Sequence, residues 1–499
     1  MQPSSLYQHS QRKTIDHLRT ADISENTFRE IPDKVLKELV EYTLSLHWSK
    51  RPDVSKLSLL ICNPRLQRLD LKYLEVSILN SEDFAESLRT NLSVCSSLIS
   101  IMANYKFPRL KYIHMPFLIN ENTEFANMIR GCENLETLHT GTCFDLNCLE
   151  NTTRLREARF HFHISDIAKS ECHFDERIYS LTNLRDLEIF AFCFPNDCFE
   201  RSGAITDVLI CCPNIISVGL MDTSMSIHHI IERKGRFFEF KLRRCFWGIC
   251  YDTTIQWSVR AANYIISSTD IIRNAARACP LVEELAMQVF QKDSLISLSR
   301  LSRLTFLSLS FKQCNDSYLS EFIYLMGKIG HKIKHLSLEG FNSAFPVNDI
   351  CKLCINLESL KIIGFSCVSH PAKPLPSLHN LKSFTADEID QNCFDFVLSN
   401  CPNLTELFLH NVHFLNDLKL NKILRKNPLR NLEIFLFEIC VLTKDGVSQL
   451  INSAINLKKC YIIDSNNIVE SVIKELNLNI DCNVRPEDIF QRKLHPCSF

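Results

Sequence analysis

CPNLTELFL, the stretch Cys401–Leu409, contains the pattern that decides the fold of this chain. Its cysteine is followed three positions later by an apolar residue, which opens the spacing Ø-x-x-Ø-x-Ø, where Ø is apolar. The last two apolar positions, Leu407 and Leu409, stand two apart and therefore point to the same side of a short strand. Because strings of this kind recur about every 20 to 31 residues, the sequence predicts a solenoid of stacked repeats rather than separate globules.

The same spacing recurs along most of the chain. Copies that keep the cysteine begin at Cys132, Cys212, Cys279 and Cys354. The copies without this cysteine open at the following apolar residues: Leu66, Leu110, Leu155, Leu184, Phe237, Leu304, Ile333, Leu381, Leu432 and Leu457. The weak copy at Phe237 stands alone between two clear ones, so we expect an aberrant repeat with an irregular insertion at about residues 224–275.

Segments with the apolar spacing of helices separate the predicted strands. Val447, Leu450, Ile451 and Ala454 form one such face ahead of the copy at Leu457. A strand–helix unit leaves one face uncovered, and stacking on the next unit buries it. The expected arrangement is therefore a parallel sheet with helices behind it.

The repeat resembles that of a known family. Leu442–Leu450, followed by Asn456 and Leu457, is similar to the cysteine-containing, ribonuclease-inhibitor-like repeat of F-box leucine-rich-repeat proteins, and so is Cys401–Leu404. The resemblance covers roughly residues 62–480. It implies an α/β leucine-rich-repeat solenoid, a curved horseshoe with parallel strands on its concave face, helices on its convex face and a short N-terminal helical cap.

The composition indicates a soluble protein of a reducing compartment. The 56 Lys and Arg residues nearly balance the 57 Asp and Glu residues, whereas a dedicated nucleic-acid binder usually has a basic excess. The first 30 residues have no apolar core of the kind a signal peptide needs, and no run of about 18 apolar residues suggests a membrane span. We therefore expect a cytoplasmic or nuclear protein that binds neither nucleic acid nor membranes, with 23 cysteines that stay reduced.

No motif for catalysis stands out. The sequence has no glycine-rich phosphate loop, nucleophile elbow or zinc-binding helix signature. Cys351 and Cys354 form a C-x-x-C pair, but no second pair with zinc spacing follows. We interpret the cysteines before the anchors as buried structural thiols, and Cys245 as a residue of the turn after the copy at Phe237. The sequence thus predicts a protein that is not an enzyme and that holds no metal or cofactor.

The regions outside the repeats are short. We expect a disordered or poorly ordered N-terminus over residues 1–25, a helical segment over 26–61, the repeats over 62–480 and a C-terminal cap or tail over 481–499. In the helical segment, apolar residues from Ile31 to Leu44 recur with the spacing of one helix face. Such a helix is able to cap the open end of the repeat array.

The helical segment also resembles the opening of an F-box, which starts with Leu-Pro. On that resemblance, the residues that face a Skp-type adaptor are Ile31, Pro32, Val35, Leu36, Leu39 and Val40. The Val-Cys-x-x-Trp helix of an F-box is missing, and short helices that run directly into repeats are also similar to the leucine-rich receptors of elongin–cullin ligases. Three alternatives for this segment therefore stay open: it binds a Skp-type adaptor, it binds an elongin-type adaptor with a cullin, or it is a simple cap.

The residues between the strand anchors are expected to form the binding surface. Aromatic residues in a polar surround suit protein–protein recognition. The predicted contact residues are Tyr112, His139, Phe306, His335, Glu406, Phe408 and His410. Our leading hypothesis is the substrate-recognition subunit of a cullin-RING E3 ubiquitin ligase, a monomer within a complex, that binds a target protein on the concave face. The alternative is a protein-binding scaffold or inhibitor with no ligase role.

Overall fold

The computed structural model describes most of the chain. The described residues are 13–14, 31–46, 53–71, 84–115, 123–140, 146–161, 188–193, 205–206, 208–210, 212–235, 238–248, 268–311, 316–340, 345–363, 367–368, 378–386, 390–409, 412–437, 442–462 and 466–481. They fall into two compact units, which we describe one at a time. The described residues up to Met221 belong to the first unit, and those from Asp222 onward belong to the second.

The first unit contains a parallel sheet whose strands pair in chain order. Its strands are β1 Arg68–Asp70, β2 Tyr112–Met115, β3 Thr137–Thr140, β4 Glu157–His161, β5 Ile189–Cys193 and β6 Ser217–Asp222. Its helices are α1 Asp33–Ser45, α2 Val54–Ile61, α3 Phe84–Met102 and α4 Thr123–Arg130, with a 3-10 helix at Leu146–Asn151. Among the described residues, helices and strands alternate from α3 to β4, as the repeat pattern predicts.

The second unit continues the same alternation. Its main parallel sheet contains β7 Arg244–Trp247, β8 Glu284–Val289, β9 Phe306–Phe311, β10 His335–Glu339, β12 Ser359–Ile363, β14 Ser383–Ala386, β15 Glu406–Leu409, β16 Ile434–Phe437 and β17 Lys459–Ile462. Two short strands, β11 Phe345–Pro346 and β13 Cys367–Val368, pair separately. Asp481 adds one parallel bridge to Lys459 beside the last strand.

Helices separate the strands of the second unit. They are α5 Thr223–Lys234, α6 Thr269–Ala278, α7 Asp316–Ile329, α8 Val347–Leu353, α9 Gln391–Asn400, α10 Asp417–Lys426, α11 Lys444–Ser453 and α12 Asn466–Glu475, with 3-10 helices at Lys292–Arg300 and Gly330–Lys332. Several begin at a capping side chain: Asp390 accepts a hydrogen bond from the Cys393 amide (2.6 Å), which satisfies one unpaired donor of α9. Among the described helices, none is long and apolar enough to cross a lipid bilayer.

The predicted anchors lie in register across the sheets. Leu336 pairs with Leu360, and Leu338 pairs with Ile362, on neighbouring strands. These four side chains are at most 1% exposed, so they form a continuous core beneath the sheet. Since a slip by one residue would turn every anchor to the other face, the spacing in the sequence fixes the register. The prediction of an α/β repeat fold with parallel strands is confirmed.

One predicted repeat is displaced by three residues. We expected the last anchor of the copy at Leu184 to be Ile189, whereas the sheet places Ile189 opposite Glu157 and Phe192 opposite the anchor Phe160. The reason is that Leu184–Ile189 and Leu187–Phe192 both satisfy the same spacing. Spacing alone therefore cannot choose between two overlapping strings.

The copy at Phe237 was misplaced for the same reason. Leu242–Trp247 also satisfies the spacing, and its Cys245 pairs with the anchor Leu285 and is 1% exposed. Cys245 is thus a strand anchor and not a turn residue. Helix α5 lies ahead of this strand, so residues 223–235 and 238–247 supply the helix and strand of one repeat within the region where we expected an aberrant repeat and an insertion. Residues 249–267 lie outside the described residues.

The cysteines before the anchors are buried thiols, as we interpreted them. Cys132 Sγ donates a hydrogen bond to the Met128 carbonyl at 3.2 Å, at the end of α4. Cys354 Sγ lies 3.9 Å from Met326 Sδ. Burial raises the pKa of the Cys132 and Cys354 thiols to about 12. Thiols held so firmly in the protonated form contribute packing and a weak donor to the turn.

Asparagine side chains join successive repeats at the turn before the strand. Each stands directly before the first anchor, and its Nδ2 donates to a turn carbonyl of the preceding repeat at 2.7–3.2 Å. The pairs are Asn134 with Pro108, Asn356 with His331, Asn380 with Ile355, Asn403 with His379, Asn431 with Pro402, and Asn456 with Arg430. Our sequence analysis did not predict this amide ladder, although asparagine stands at the same position in Cys401–Leu404.

Candidate functional site

Each strand has two faces, one that carries the buried anchors and an opposite one that does not. In β9, Phe306, Ser308 and Ser310 are partly exposed, whereas the apolar side chains between them are buried. This alternation follows from the two-residue period of a strand. We call the face formed by the partly exposed positions the open face. Its side chains are free to vary between repeats, because the core does not depend on them.

On the open face of the first unit, Arg68 is held between two strands and a helix. Its guanidinium lies 3.5 Å from the centroid of the Tyr112 ring and donates to Asp70 Oδ2 at 2.8 Å. Its Nε is 3.7 Å from a carboxylate oxygen of Glu41 on α1. The Asp70 side chain is 0% exposed, and His114 Nδ1 lies 3.5 Å from its other oxygen. The guanidinium therefore has little freedom left to lose on binding.

The same network continues onto β3 and β4. The ring of His139 lies 5.6 Å from those of Tyr112 and His114, edge to face in both cases. Its Nε2 is 2.9 Å from Glu157 Oε1, and Arg159 Nε donates to the same oxygen at 2.5 Å. The hydrogen bond with His139, together with the Arg159 charge, lowers the pKa of Glu157.

We call this network the β1–β4 cluster. Its members are Arg68, Asp70, Tyr112, His114, His139, Glu157 and Arg159. Burial raises the pKa of Tyr112, so its hydroxyl stays protonated and able to donate at neutral pH. Aromatic rings and paired charges that are already ordered suit contact with another protein, since binding then costs little side-chain entropy.

The open face of the second unit carries a different set of groups. The Phe306 and His335 rings lie 6.0 Å apart on neighbouring strands, and burial lowers the pKa of His335. Where the strands begin, Glu358 accepts a hydrogen bond from Lys382 Nζ at 2.8 Å, and Lys334 Nζ lies 3.5 Å from its other oxygen. These ion pairs join three consecutive repeats along the edge of the open face.

Four of the predicted contact residues are brought together in pairs. Tyr112 lies beside His139, and Phe306 lies beside His335. Glu406 is partly exposed on β15, apart from these pairs. His410 lies outside the described residues. The role of these residues in binding stays a prediction.

Phe408 does not present an accessible ring, which corrects our expectation. Its side chain is 2% exposed. Thr385 and Leu436, which pair with it on the neighbouring strands, are 8% and 0% exposed. Phe408 therefore belongs to a buried row on this part of the sheet and cannot contact a partner without rearrangement.

Sequence reasoning missed Arg68, Asp70 and Glu157. A usable signal was present, because Arg68 and Asp70 stand on either side of the anchor Leu69, and Glu157 and Arg159 flank an anchor in the same way. Opposite charges two apart on a strand lie on one face. Such a pair around an apolar anchor predicts a paired network on the open face.

The predicted adaptor-binding residues divide into two groups. Leu36, Leu39 and Val40 are 1%, 4% and 1% exposed, so the chain itself covers them. Ile31 is half-buried, Pro32 is exposed, and Val35 is 41% exposed. The apolar stripe of α1 therefore faces inward, which corrects the expectation that all six residues face an adaptor.

The inward stripe of α1 closes the first repeat. Helix α1 packs on α2, which packs on α3 of the first repeat. Arg65 Nη2 lies 2.6 Å from Asp33 Oδ1 at the start of α1, and Gln67 Nε2 donates to the other oxygen of Asp33 at 3.3 Å. These contacts hold the start of α1 against the turn before β1.

The described residues offer no evident metal centre. Within them, His, Cys, Asp and Glu side chains are not grouped in threes or more in a way that could hold a metal ion.

No protein-family model matches the chain, and no curated protein sequence matches it. Solved structures to which it is similar include one of the Rad7 and Elc1 complex in yeast (13% identity, covering 56% of this chain and 86% of that one, TM-score 0.34). Another is an internalin from Listeria monocytogenes (13%, 81% and 95%, 0.33), and a third is the leucine-rich repeat-containing protein LegL7 from Legionella pneumophila (14%, 61% and 83%, 0.31). TM-scores this low say nothing about function.

The fold follows from the geometry of the chain itself. Each repeat supplies one short parallel strand, its apolar anchors lie in register with those of the next strand, and a helix or 3-10 helix precedes most strands. Asparagine or cysteine closes the turn between helix and strand. The described residues of each unit thus have a leucine-rich-repeat fold.

Proposed function

We propose that this protein recognises another protein through the open face of its strands. The observation that carries the proposal is the β1–β4 cluster, in which Tyr112 and His139 lie within 5.6 Å of each other beside paired charges. Solenoids use the extended surface of their strands for binding, because every repeat adds one strand to it.

The pairing inside the cluster favours a protein partner. Tyr and Arg are the residues that most often dominate the energy of protein interfaces. Arg68 and Glu157 keep their ion-pair partners when a surface covers them, so covering this cluster leaves no buried charge unpaired. A partner with aromatic and polar groups matches this surface best.

Within this proposal, the partner is a substrate for ubiquitin transfer, and the chain is the substrate-recognition subunit of a cullin-RING ligase. The support is the resemblance of the repeats to those of F-box leucine-rich-repeat proteins. Because Leu36, Leu39 and Val40 are buried, an adaptor would contact Ile31 and Pro32, which precede α1, together with Val35 on its exposed side. The alternative is a scaffold or inhibitor that uses the same open face without a ligase.

Quantitative capture with the full chain tests the binding proposal. Tyr112→Ala combined with His139→Ala should remove a discrete set of captured proteins. Tyr324→Ala, at a site 53% exposed on α7, is the matched control and should retain them. If both variants capture the same proteins as the wild type, the open face of the first unit is not the binding site.

The ligase role is tested separately in the same capture. We expect a Skp-type or elongin-type adaptor together with a cullin, and loss of both in Val35→Asp. Lys34→Asp changes the charge of a neighbouring exposed residue on α1 and should leave the adaptor bound. If the open-face partners are captured without any adaptor or cullin, the ligase role is wrong and the alternative, a scaffold or inhibitor, is supported.

A further inference from the structure

The segments that lead into β9 and β10 carry a run of positive charge beside the open face of the second unit. Residues 300–305 and 328–334 contain five Lys and Arg residues and no Asp or Glu. The two segments lie side by side, because the Lys334 amide donates to the Thr305 carbonyl at 2.8 Å. The residues that we call the basic run are Arg300, Arg303 and Lys332.

The basic run is a local excess of positive charge. Its two arginines are exposed and its lysine is partly exposed. Within the part of the chain that the structure describes, none of the three forms an ion pair. The carboxylates on either side of the run are paired, since Glu283 lies 3.9 Å from Arg243 and Glu358 accepts a hydrogen bond from Lys382 at 2.8 Å. The charge of the run is therefore left for a group outside the fold to balance.

Arg303 and Lys332 stand at the position that later repeats give to the amide ladder. In the turns before β12, β14, β15, β16 and β17 this position is asparagine, whose Nδ2 donates to the preceding turn. Among the described residues, neither Arg303 nor Lys332 forms a side-chain hydrogen bond in its place. These two repeats thus lack a stabilising contact and carry an accessible cation instead, which favours a role in binding.

The basic run borders the aromatic pair of the open face. Phe306 and His335 stand three residues after Arg303 and Lys332, respectively, and their rings lie 6.0 Å apart. Both aromatic residues are partly exposed. A partner that contacts this pair therefore also reaches the cations where the strands begin.

We infer that the basic run binds an acidic segment of the partner protein, whose carboxylates contact Arg300, Arg303 and Lys332 while a neighbouring apolar side chain contacts Phe306. Charge-assisted hydrogen bonds between guanidinium and carboxylate groups are strong and often bidentate. The run covers two neighbouring strands, about 4.8 Å apart, whereas a nucleic-acid backbone needs a longer basic stripe. The inference rests on the proposed function, because it names the chemistry of the partner that the open face recognises.

Fluorescence anisotropy with the full chain tests the inference. The probe is a labelled short peptide of glutamates around a central phenylalanine, and the reference peptide has glutamine in place of each glutamate. Arg300→Glu combined with Arg303→Glu and Lys332→Glu should weaken binding of the glutamate peptide by about tenfold or more, because like charges then face each other. The wild type should prefer the glutamate peptide to the reference. Equal affinity of the wild type for both peptides, or of the wild type and the triple variant for the glutamate peptide, would overturn the inference.

A second triple variant, Arg425→Glu with Lys426→Glu and Arg430→Glu, is the matched control. These residues are exposed at the end of α10 and in the turn after it, and the open face beside them carries the buried Phe408 and Leu436. The control has the same net charge as the first variant, but its changes lie before β16, four strands from β10. It should bind the glutamate peptide within about twofold of the wild type at physiological ionic strength, because salt screens distant charges. Equal weakening in both variants would show that the peptide responds to net charge alone, against the inference.

A labelled single-stranded oligouridylate separates a protein partner from a nucleic acid. We expect it to bind more weakly than the glutamate peptide. Tighter binding of the oligouridylate, lost in the triple variant of the basic run, would overturn the inference in favour of nucleic acid.

Failure of this inference is distinguishable from failure of the proposed function. Tyr112→Ala combined with His139→Ala changes the first unit and should leave binding of the glutamate peptide intact. If that double variant loses its captured proteins while the wild type fails to bind the glutamate peptide, the inference is wrong and recognition through the open face stands.

Discussion

The β1–β4 cluster and Lys361 lie on the open faces of different repeats, and their charges stand in different environments. In the cluster, Asp70 is fully buried and Arg68 donates to it at 2.8 Å. On β12, burial lowers the pKa of Lys361 to about 8. The repeat thus determines where side chains stand, while the identity of each side chain determines how strongly burial disfavours its charge.

The largest expected effect lies beneath both surfaces. Leu407→Ala should reduce the free energy of unfolding by about 2–5 kcal/mol, because Leu407 is 0% exposed and its removal leaves a cavity. Leu138→Ala in the first unit should cost a similar amount. Leu418→Ala, at a site 84% exposed, is the control and should be nearly neutral in urea denaturation. A near-neutral Leu407→Ala would show that the register assigned here is wrong.

Removal of the Lys361 charge should stabilise the chain. The pKa of Lys361 in the folded chain lies below its value of 10.5 in the unfolded chain, so the unfolded chain binds more protons between about pH 8 and 10.5. Stability should therefore rise with pH across this window. Lys361→Met should abolish the rise and add at most about 3 kcal/mol at pH 7, less the screening by solvent.

Urea denaturation at pH 7 and pH 10 measures this effect. Lys382→Met, at a 60% exposed site, is the matched control. A Lys361→Met variant that is less stable than the wild type at pH 7 would contradict the expectation that burial of this charge costs stability.

In the β1–β4 cluster, removal of a charge should have the opposite sign. Asp70→Ala should destabilise the chain by about 1–3 kcal/mol, because it leaves the partly buried Arg68 without its hydrogen-bonded carboxylate. Asp349→Ala removes an exposed carboxylate that lies 3.4 Å from Lys352 and should change stability little. Equal effects of these two substitutions would show that the cluster is no more than a surface ion pair.

The smallest expected effect concerns the amide ladder, which both units share. Asn356→Ala removes the 2.7 Å hydrogen bond to the His331 carbonyl and should cost about 0.5–1.5 kcal/mol. Asn134→Ala, which removes the bond to Pro108, should cost the same within error. A large difference between the two substitutions in urea denaturation would show that the turns of the two units are not equivalent.

The strand anchors were predictable because apolar spacing specifies both the strand and the face that it buries. The prediction failed where two strings overlap, as at Leu184–Ile189 and Leu187–Phe192, since only the paired neighbour decides between them. The inward stripe of α1 could not be assigned from sequence, because a cap and an adaptor-binding helix need the same apolar spacing. Burial of Phe408 was also unpredictable, because it depends on Thr385 and Leu436 from strands distant in sequence.

Site-specific photo-crosslinking tests the central claim most directly. A benzophenone amino acid would replace Tyr112 or Phe306 on the open face, and Tyr324 or Leu418 on exposed helix positions, one site at a time in the full chain. We predict covalent adducts with a discrete protein from the open-face sites alone. Adducts from the helix sites, with none from Tyr112 or Phe306, would contradict recognition through the strands.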